Sequence, residues 1–153
     1  MKPALFLVPL ALLLAGCTPI VSLEPADDAA AVACAEVVVR LPDTLAGLPA
    51  RETNAQGTGA WGDPTAIILR CGVPAPAPTS ELRCLTYDGV DWLIDDREDP
   101  VLVATTYGRA PAIEVIIDDQ ADGVVLTDLA SAVSYLPRTG ECLAIDELPA
   151  PTG

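Results

Sequence analysis

The chain has 153 residues, enough for one domain of ordinary size, and hydrophobic residues make up 51% of it. Acidic residues outnumber basic residues by 22 to 8, so the net charge is −14. This charge argues against electrostatic binding to nucleic acid or to an anionic membrane surface. The chain contains no histidine, which excludes Ser-His-Asp and Cys-His nucleophilic sites and zinc sites built on imidazole.

The N-terminal sequence MKPALFLVPLALLLAGC is typical of a bacterial lipoprotein signal. Its apolar stretch, residues 4–15, is too short for a comfortable membrane span, and small residues lead directly to Cys17. We therefore expect a signal peptide over residues 1–16, and a lipidated Cys17 with a short tether over residues 17–27. Two acyl chains on one cysteine suffice for stable anchoring in a membrane. The alternative is an ordinary secretory signal followed by a chance cysteine.

Residues 27–41, DDAAAVACAEVVVRL, predict a helix. An aspartate at its start can cap the helix, and Pro42 prevents its continuation. Five residues recur at helical spacing and are expected to face the core. They are Ala30, Cys34, Val37, Val38 and Leu41.

Five β-like runs follow, at residues 65–71, 82–87, 90–94, 101–107 and 112–117. The dipeptide Asp88-Gly89 separates the second run from the third and has the chemistry of a tight hairpin turn. Between the first two runs, the sequence GVPAPAPTS predicts a proline-rich excursion.

A second helix is predicted over residues 127–136 and ends at Pro137, with a buried side formed by Leu129, Ala130, Val133 and Leu136. Its end lies in LPRTG, residues 136–140, which matches the pentapeptide that sorts Gram-positive surface proteins to the cell wall. Sorting also requires a following apolar span and a basic tail, and the 13 residues after Gly140 contain neither. We therefore expect no covalent attachment to the cell wall and interpret the pentapeptide as a helix end and exit turn.

These elements predict a small single domain of the α+β class over residues 28–146. Two helices are expected to pack on an antiparallel sheet of about five strands, and two disulfides to cross-link the domain. Residues 147–153 predict a flexible proline-rich tail.

The cysteines other than Cys17 number four, and an even number in an exported chain indicates two disulfides with three alternative connectivities. We favour Cys71–Cys84, which would pin the proline-rich excursion, and Cys34–Cys142, which would join the first helix to the C-terminal segment. A four-thiolate zinc site is the alternative, but neither pair has the two-residue spacing that such sites prefer.

Three acidic clusters stand out, at Asp88 and Asp91, at residues 95–99 and at residues 118–123. The last one partly imitates a calcium-binding loop, but Leu129 occupies the twelfth position, where a bidentate glutamate is expected. We favour solvated loops and a turn between a strand and a helix. Weak calcium binding and a general acid/base pair of carboxylates are the alternatives.

A candidate binding surface comprises Trp61, Tyr107 and Arg109, which lie at bends rich in glycine and proline. The guanidinium of Arg109 can bind a carboxylate or phosphate with two hydrogen bonds, although an internal ion pair is favoured in so acidic a chain. Trp61 and Trp92 are favoured as core residues rather than as ligand-stacking ones. No serine or threonine has a basic partner that would make it a nucleophile.

Three stretches together resemble an uncharacterised actinobacterial family of exported proteins, the domain of unknown function 3515. They are AWGDPTAIILRCGV (60–73), GVDWLI (89–94) and TTYGRAPAIEV (105–115), and the resemblance covers roughly residues 30–145. The resemblance implies a single α+β domain, often behind a signal peptide or lipobox, in the envelope of a high-GC Gram-positive bacterium. It implies no activity, cofactor or catalytic residue.

The sequence therefore predicts a protein that is anchored through lipid on Cys17 to the outer face of the cytoplasmic membrane. Its domain is predicted to be a non-enzymatic accessory or binding domain of the cell envelope, with an envelope protein of unknown identity as a candidate partner. No catalytic residue, metal or cofactor is assigned. A carboxylate-dependent envelope hydrolase and a cation-responsive structural protein are the alternatives.

Overall fold

The computed structural model of the protein describes residues 19–121 and 124–143. The predicted signal peptide, Cys17 and the predicted tail lie outside the described residues. Two helices are present, α1 (Val32–Val38) and α2 (Val125–Val133). The strands are β1 (Thr44–Leu45), β2 (Leu48–Arg51), β3 (Thr58–Trp61), β4 (Ile67–Val73), β5 (Arg83–Tyr87), β6 (Val90–Glu98), β7 (Val101–Thr106) and β8 (Ala112–Ile117).

The strands form one antiparallel sheet in the order β1-β2-β3-β4-β8-β7-β6-β5. The predicted α+β class with two helices and two disulfides is confirmed, but the sheet has eight strands and not about five. The five predicted runs correspond to β4 to β8, and β1, β2 and β3 are additional. No helix within the described ranges combines the length and the apolarity that crossing a membrane requires.

Two hairpins in the sheet turn in the same way. The central residues of both turns have positive φ, 46° and 76° for Asp88 and Gly89, and 49° and 76° for Ala46 and Gly47. Positive φ at both positions defines the two-residue turn whose twist matches that of antiparallel strands. The predicted hairpin at Asp88-Gly89 is thus confirmed, and Ala46-Gly47 forms a second one between β1 and β2.

Both helices pack on one side of the sheet, and the core lies between the helices and the sheet. Side chains alternate along each strand, so that Ile67, Leu69 and Cys71 of β4 share this side with Val115 of β8. The side chains of these residues are fully buried. On the other side of the sheet, Arg70 and Glu114 form an ion pair of 3.2 Å across β4 and β8 and remain partly exposed. We call the first side the helix side of the sheet.

Helix α1 is shorter than the predicted range 27–41. Its buried face contains Cys34 and Val37, as predicted, but Ala30 is exposed and precedes the helix. The N–H of Asp28 donates a hydrogen bond to the carbonyl oxygen of Gly72 at 3.0 Å. This hydrogen bond holds the backbone before α1 in a turn against β4, so the helix begins only at Val32.

The disulfides join Cys34 to Cys71 and Cys84 to Cys142, so the predicted pairing is wrong. Cys71 is on β4 and Cys84 is on β5, and three strands lie between β4 and β5 in the sheet. At about 4.8 Å per strand the two cysteines stand roughly 19 Å apart, whereas a disulfide requires Cα atoms within about 7 Å. The buried face of α1 instead places Cys34 over the helix side of β4.

The LPRTG pentapeptide has the structural role expected of a helix end and exit turn. Leu136 is buried in the core, just beyond the end of α2. The N–H groups of Thr139 and Gly140 both donate to the carbonyl oxygen of Gly108, at 2.7 and 3.1 Å. The pentapeptide therefore fastens the C-terminal segment to the turn between β7 and β8.

Candidate functional site

Trp61 and Arg109, two of the three predicted binding residues, lie in the interior. Trp61 is 1% exposed, and its indole N–H donates to the carbonyl oxygen of Pro42 at 2.9 Å. Trp92 is fully buried as well, so the interpretation of both tryptophans as core residues is confirmed. A binding surface shared by Trp61, Tyr107 and Arg109 is therefore not present, and that prediction is wrong.

Arg109 holds the end of α2. Its guanidinium donates to the carbonyl oxygen of Leu136 at 2.6 Å and to that of Ser134 at 3.4 Å. Burial and repulsion from Arg138 lower the pKa of Arg109. The favoured ion pair is not formed with any carboxylate in the described part of the chain, because carbonyl oxygens are the acceptors instead. A positive group at the C-terminal end of a helix is stabilising.

Tyr107 lies half-buried beside the second disulfide. It lines a shallow depression of about 200 Å³ together with Leu93, Cys84 and Cys142. The backbone N–H of Tyr107 donates to the carbonyl oxygen of Asp91 at 2.8 Å. Its surroundings are thus those of a structural junction between β5, β6 and the C-terminal segment.

Asp91 is the buried acid of the first acidic cluster, and its carboxylate is occupied by structural hydrogen bonds. One oxygen accepts from the hydroxyl of Thr86 at 2.6 Å, and the other accepts from the N–H of Cys142 at 2.9 Å. The side chain is 8% exposed. Asp91 therefore supports the C-terminal disulfide and is not free for acid/base chemistry.

The second acidic cluster is exposed and partly neutralised by arginine. Asp95 pairs with Arg97 of the same strand, β6. Asp96 of β6 pairs with Arg83 of the neighbouring strand β5. Hydrogen bonding from Arg97 lowers the pKa of Asp95 to about 2. Because the arginine stabilises the charged form, this carboxyl stays ionised to lower pH than an unpaired aspartate.

An elongated cleft of about 300 Å³ runs along the helix side of the sheet beneath the start of α2. One apolar residue from each of the strands β5, β6, β7 and β8 contributes to its floor, and two residues of α2 form its roof. We name it the α2 cleft. The floor comprises Leu85, Ile94, Leu102 and Ile117, and the roof comprises Val125 and Leu126.

The cleft exists because α2 is short. The helix has nine residues and contacts β1 and β5, and the strand ends near Leu102 and Ile117 remain only half-buried. The cleft crosses the sheet from β8 to β5, which are three strand spacings apart. At about 4.8 Å per spacing, its length is roughly 14 Å. Apolar walls with a few polar groups at the ends are typical of ligand sites.

The two ends of the α2 cleft carry different charged groups. Arg83 stands at the β5 end, where it pairs with Asp96. Asp118 and Asp119 stand at the β8 end, in the turn that follows the strand. No lysine or arginine in residues 19–121 and 124–143 lies within ion-pair distance of these two carboxylates.

Asp118 and Asp119 are close enough to share a hydrogen bond when one of them is protonated, and this separates their proton affinities. The bond to Asp119 and backbone bonding to Gln120 lower the pKa of Asp118. The same shared bond, repulsion from Asp118 and the more distant Asp99 raise the pKa of Asp119. The β8 end therefore holds a proton more readily on Asp119 than on Asp118.

The third acidic cluster is only partly described, because Asp122 and Gly123 lie outside the described residues. Within residues 19–121 and 124–143, no three histidine, cysteine, aspartate or glutamate side chains converge in a way that would hold a metal ion. The predicted turn between a strand and a helix matches residues 118–121, where the N–H of Ala121 donates to the carbonyl oxygen of Asp118.

Sequence reasoning missed the α2 cleft, although it predicted each element that forms it. The alternation in β5 to β8 identified apolar faces but gave no order for the strands. The signal that was available was the acidic turn at residues 118–123 directly before a helix, which marks the β8 end.

A family model described as "Protein of unknown function (DUF3515)" matches residues 8–140. The match covers most of the chain and confirms the family predicted from the three motifs. No curated protein matches the chain, and no solved structure does. The family description provides no activity, so the chemistry of the site rests on the residues described above.

Proposed function

The chain belongs to the DUF3515 family, whose function is unknown, and from its own residues we propose that it is a lipid-anchored, extracytoplasmic binding domain of the cell envelope. The α2 cleft is its ligand site. The observation that carries the proposal is this preformed apolar cleft, with charged side chains confined to its ends.

Export and anchoring are supported by the N-terminal sequence and by the cysteines. The apolar stretch that leads into Cys17 has the length and the small residues of a lipoprotein signal. The other four cysteines form two disulfides, which persist in oxidising compartments outside the cytoplasm. We therefore expect the domain to face outward from the cytoplasmic membrane.

Anchoring is tested by replacing the lipidated residue. In Cys17→Ala we expect the protein to leave the membrane fraction, because no other membrane anchor is proposed. The control is a protein in which both Cys84 and Cys142 are replaced by alanine, because it also loses cysteines but keeps Cys17. Retention of the Cys17→Ala protein in washed membranes would contradict lipid anchoring.

Ligand binding at the α2 cleft is tested in cells by photo-crosslinking. Tyr87 is half-buried at the cleft, and Tyr87→benzoylphenylalanine extends its ring there by a photoreactive benzoyl group. The control is Tyr135→benzoylphenylalanine, because Tyr135 is 54% exposed and lies beyond the opposite end of α2. We expect an adduct of discrete mass from position 87 and not from position 135. The same adducts from both positions, or none, would argue against a ligand site in the cleft.

A carboxylate-dependent envelope hydrolase is the second candidate, and the raised pKa of Asp119 favours it. Hydrolysis of a glycosidic bond normally uses two carboxyl groups on opposite sides of that bond, about 5–10 Å apart. Asp118 and Asp119 instead share a hydrogen bond within one turn at one end of the cleft. Release of reducing ends from purified cell-wall glycan by the wild type, abolished in Asp119→Asn, would establish the hydrolase; we expect no release.

A further inference from the structure

The β8 end of the α2 cleft has an excess of negative charge, and no lysine or arginine among the described residues pairs with it. Asp118 and Asp119 both line the cleft, and Asp99 lies near enough to act on Asp119. At the β5 end, by contrast, the charge of Arg83 is balanced by Asp96. The cleft is therefore apolar along its length, near neutral at one end and negative at the other.

We propose that the α2 cleft binds a single-chain amphiphilic amine, with its apolar body along the floor and its protonated nitrogen at Asp118 and Asp119. This ligand class rests on the proposed function, because it specifies what the same cleft holds. The net charge of −14 favours a cation over an anion at the approach to the cleft as well.

The dimensions of the cleft limit the ligand to one chain. Its volume of about 300 Å³ is at the lower end of the range for ligand pockets. Its length of roughly 14 Å is set by the strands from β8 to β5. A lipid with two acyl chains would leave one chain outside, whereas one extended chain can lie along Leu102, Ile94 and Leu85.

The charges determine the orientation of the ligand. A protonated amine can donate hydrogen bonds to both carboxylates, and hydrogen bonds between ionised partners are stronger than neutral ones. It also removes the repulsion between Asp118 and Asp119. A carboxylate at the same place would add a third negative group, and a neutral alcohol would gain neither effect.

The test compares three probes of equal chain length: dodecylamine, dodecanol and dodecanoate. Each is titrated calorimetrically, below its micelle concentration or, for dodecanol, below its solubility limit, into the full chain carrying Cys17→Ser, so that no acyl chain of the protein competes. We expect one molecule of dodecylamine per chain, bound about tenfold more tightly than dodecanol, which corresponds to one charge-assisted hydrogen bond. Dodecanoate should bind more weakly than dodecanol.

Two variants and a matched control locate the effect. Asp118→Asn with Asp119→Asn should make the three probes bind alike. Asp27→Asn with Asp28→Asn changes the net charge equally at the other end of β4, about 20 Å away, and should preserve the preference. Ala121→Trp, which fills the cleft from its rim, should abolish binding of all three probes.

The outcomes separate the ligand class from the proposed function. Equal binding of all three probes that Ala121→Trp abolishes would overturn the amine preference and leave the cleft a binding site. Binding of phosphatidylethanolamine vesicles without binding of soluble dodecylamine would overturn the single-chain ligand. Failure of every probe, together with a discrete photo-adduct at position 87, would overturn the amine and retain the function. Failure of both experiments would remove both proposals.

Discussion

Arg109, Asp91 and Arg51 use their charges to hold segments of backbone. Arg109 bonds to carbonyl oxygens after α2, and Asp91 accepts the N–H of Cys142. Arg51 donates to the carbonyl oxygens of Gly62 and Pro19, which ties the N-terminal segment to the sheet. Sequence reasoning identified Arg109 and Asp91 because charged residues at bends are conspicuous. It could not distinguish a backbone partner from a ligand, since each partner lies far away along the chain.

The buried carboxylate of Asp91 leads to a prediction for stability. Asp91→Asn should lower the free energy of unfolding by about 1–3 kcal/mol, because an amide cannot accept from both Thr86 and the N–H of Cys142 as a carboxylate does. Urea denaturation measures the change. Asp88→Asn is the matched control, since the exposed Asp88 has a φ that asparagine tolerates, and it should stay within about 0.5 kcal/mol. Equal effects of both variants would contradict the structural role of Asp91.

The carboxyl pair at the α2 cleft leads to a prediction for titration. Asp118→Asn should lower the pKa of Asp119 toward the ordinary aspartate range, because the shared hydrogen bond and the repulsion that raise it are both removed. Carbon-13 NMR of the side-chain carboxyl carbons follows each group directly. In the wild type, Asp118 should lose its proton at lower pH than Asp119. A titration of Asp119 that is unchanged in Asp118→Asn would show that the two groups are independent.

At the scale of elements, turn chemistry explains which strands were predicted. Asp-Gly is a strong sequence signal for a two-residue hairpin, whereas Ala-Gly is not, because alanine rarely adopts positive φ. Strand β1 has two residues and β2 contains a proline, so neither shows an alternating pattern. In β3 all four residues are buried and two are small. These three strands are held by their neighbours rather than by local preference.

Two glycines in turns allow the energetic cost of backbone strain to be distinguished from the cost of a steric clash. Gly89 and Gly108 both have positive φ, but a Cβ at Gly89 would meet no atom within 4 Å. At Gly108 it would fall 2.1 Å from the carbonyl oxygen of Gly140. Gly89→Ala should therefore cost about 1–2 kcal/mol from backbone strain alone, and Gly108→Ala should cost more.

Hydrogen exchange gives the readout that distinguishes the two glycine variants. The amides of Thr139 and Gly140 both donate to Gly108, so Gly108→Ala should speed their exchange. In Gly89→Ala these two amides should keep wild-type protection relative to global stability. Slow exchange of Thr139 in Gly108→Ala would mean that the C-terminal segment is held elsewhere.

For the whole molecule, the order of the strands was the quantity that sequence could not supply. All five runs with clear alternation were predicted, and so were the helices, the hairpin at Asp88-Gly89 and the core position of Leu136. The connection from β4 to β5 crosses the breadth of half the sheet, so β4 pairs with β8. Adjacent runs in sequence usually pair, and the predicted Cys71–Cys84 bridge across the proline-rich excursion would require β4 and β5 to be neighbours. The α2 cleft was missed because the strand order was unknown. Its floor forms only when β5, β6, β7 and β8 lie side by side in the same half of the sheet.

Removal of each disulfide should have a comparable effect on global stability. The bridges span 37 and 58 residues, and loop closure of these lengths stabilises by about 4 kcal/mol each on a chain-entropy account. Alanine in place of both Cys34 and Cys71 should cost somewhat more than alanine in place of both Cys84 and Cys142. The former pair is fully buried and leaves a cavity, whereas the latter is half-buried. Urea denaturation of the two double variants checks the order.

The two disulfides do not overlap along the chain, and each lies within one half of the sheet. The first half contains α1 and β1 to β4 with Cys34–Cys71, and the second contains β5 to β8 and α2 with Cys84–Cys142. The exposed proline-rich connection between residues 73 and 83 joins them. A single cut there leaves two internally cross-linked fragments that meet where β4 pairs with β8 and where α2 contacts α1 and β1.

We expect the two pieces to reassociate when they are expressed apart, because residues of both contribute to one core cluster. The first piece carries the predicted lipid anchor, and the second carries the whole α2 cleft. Mixing them should restore the native sheet through the β4–β8 seam, and without reductant the cut protein should run as two species on a denaturing gel. In such a split protein, the membrane-anchored piece would bind the piece that contains the α2 cleft when the two are mixed.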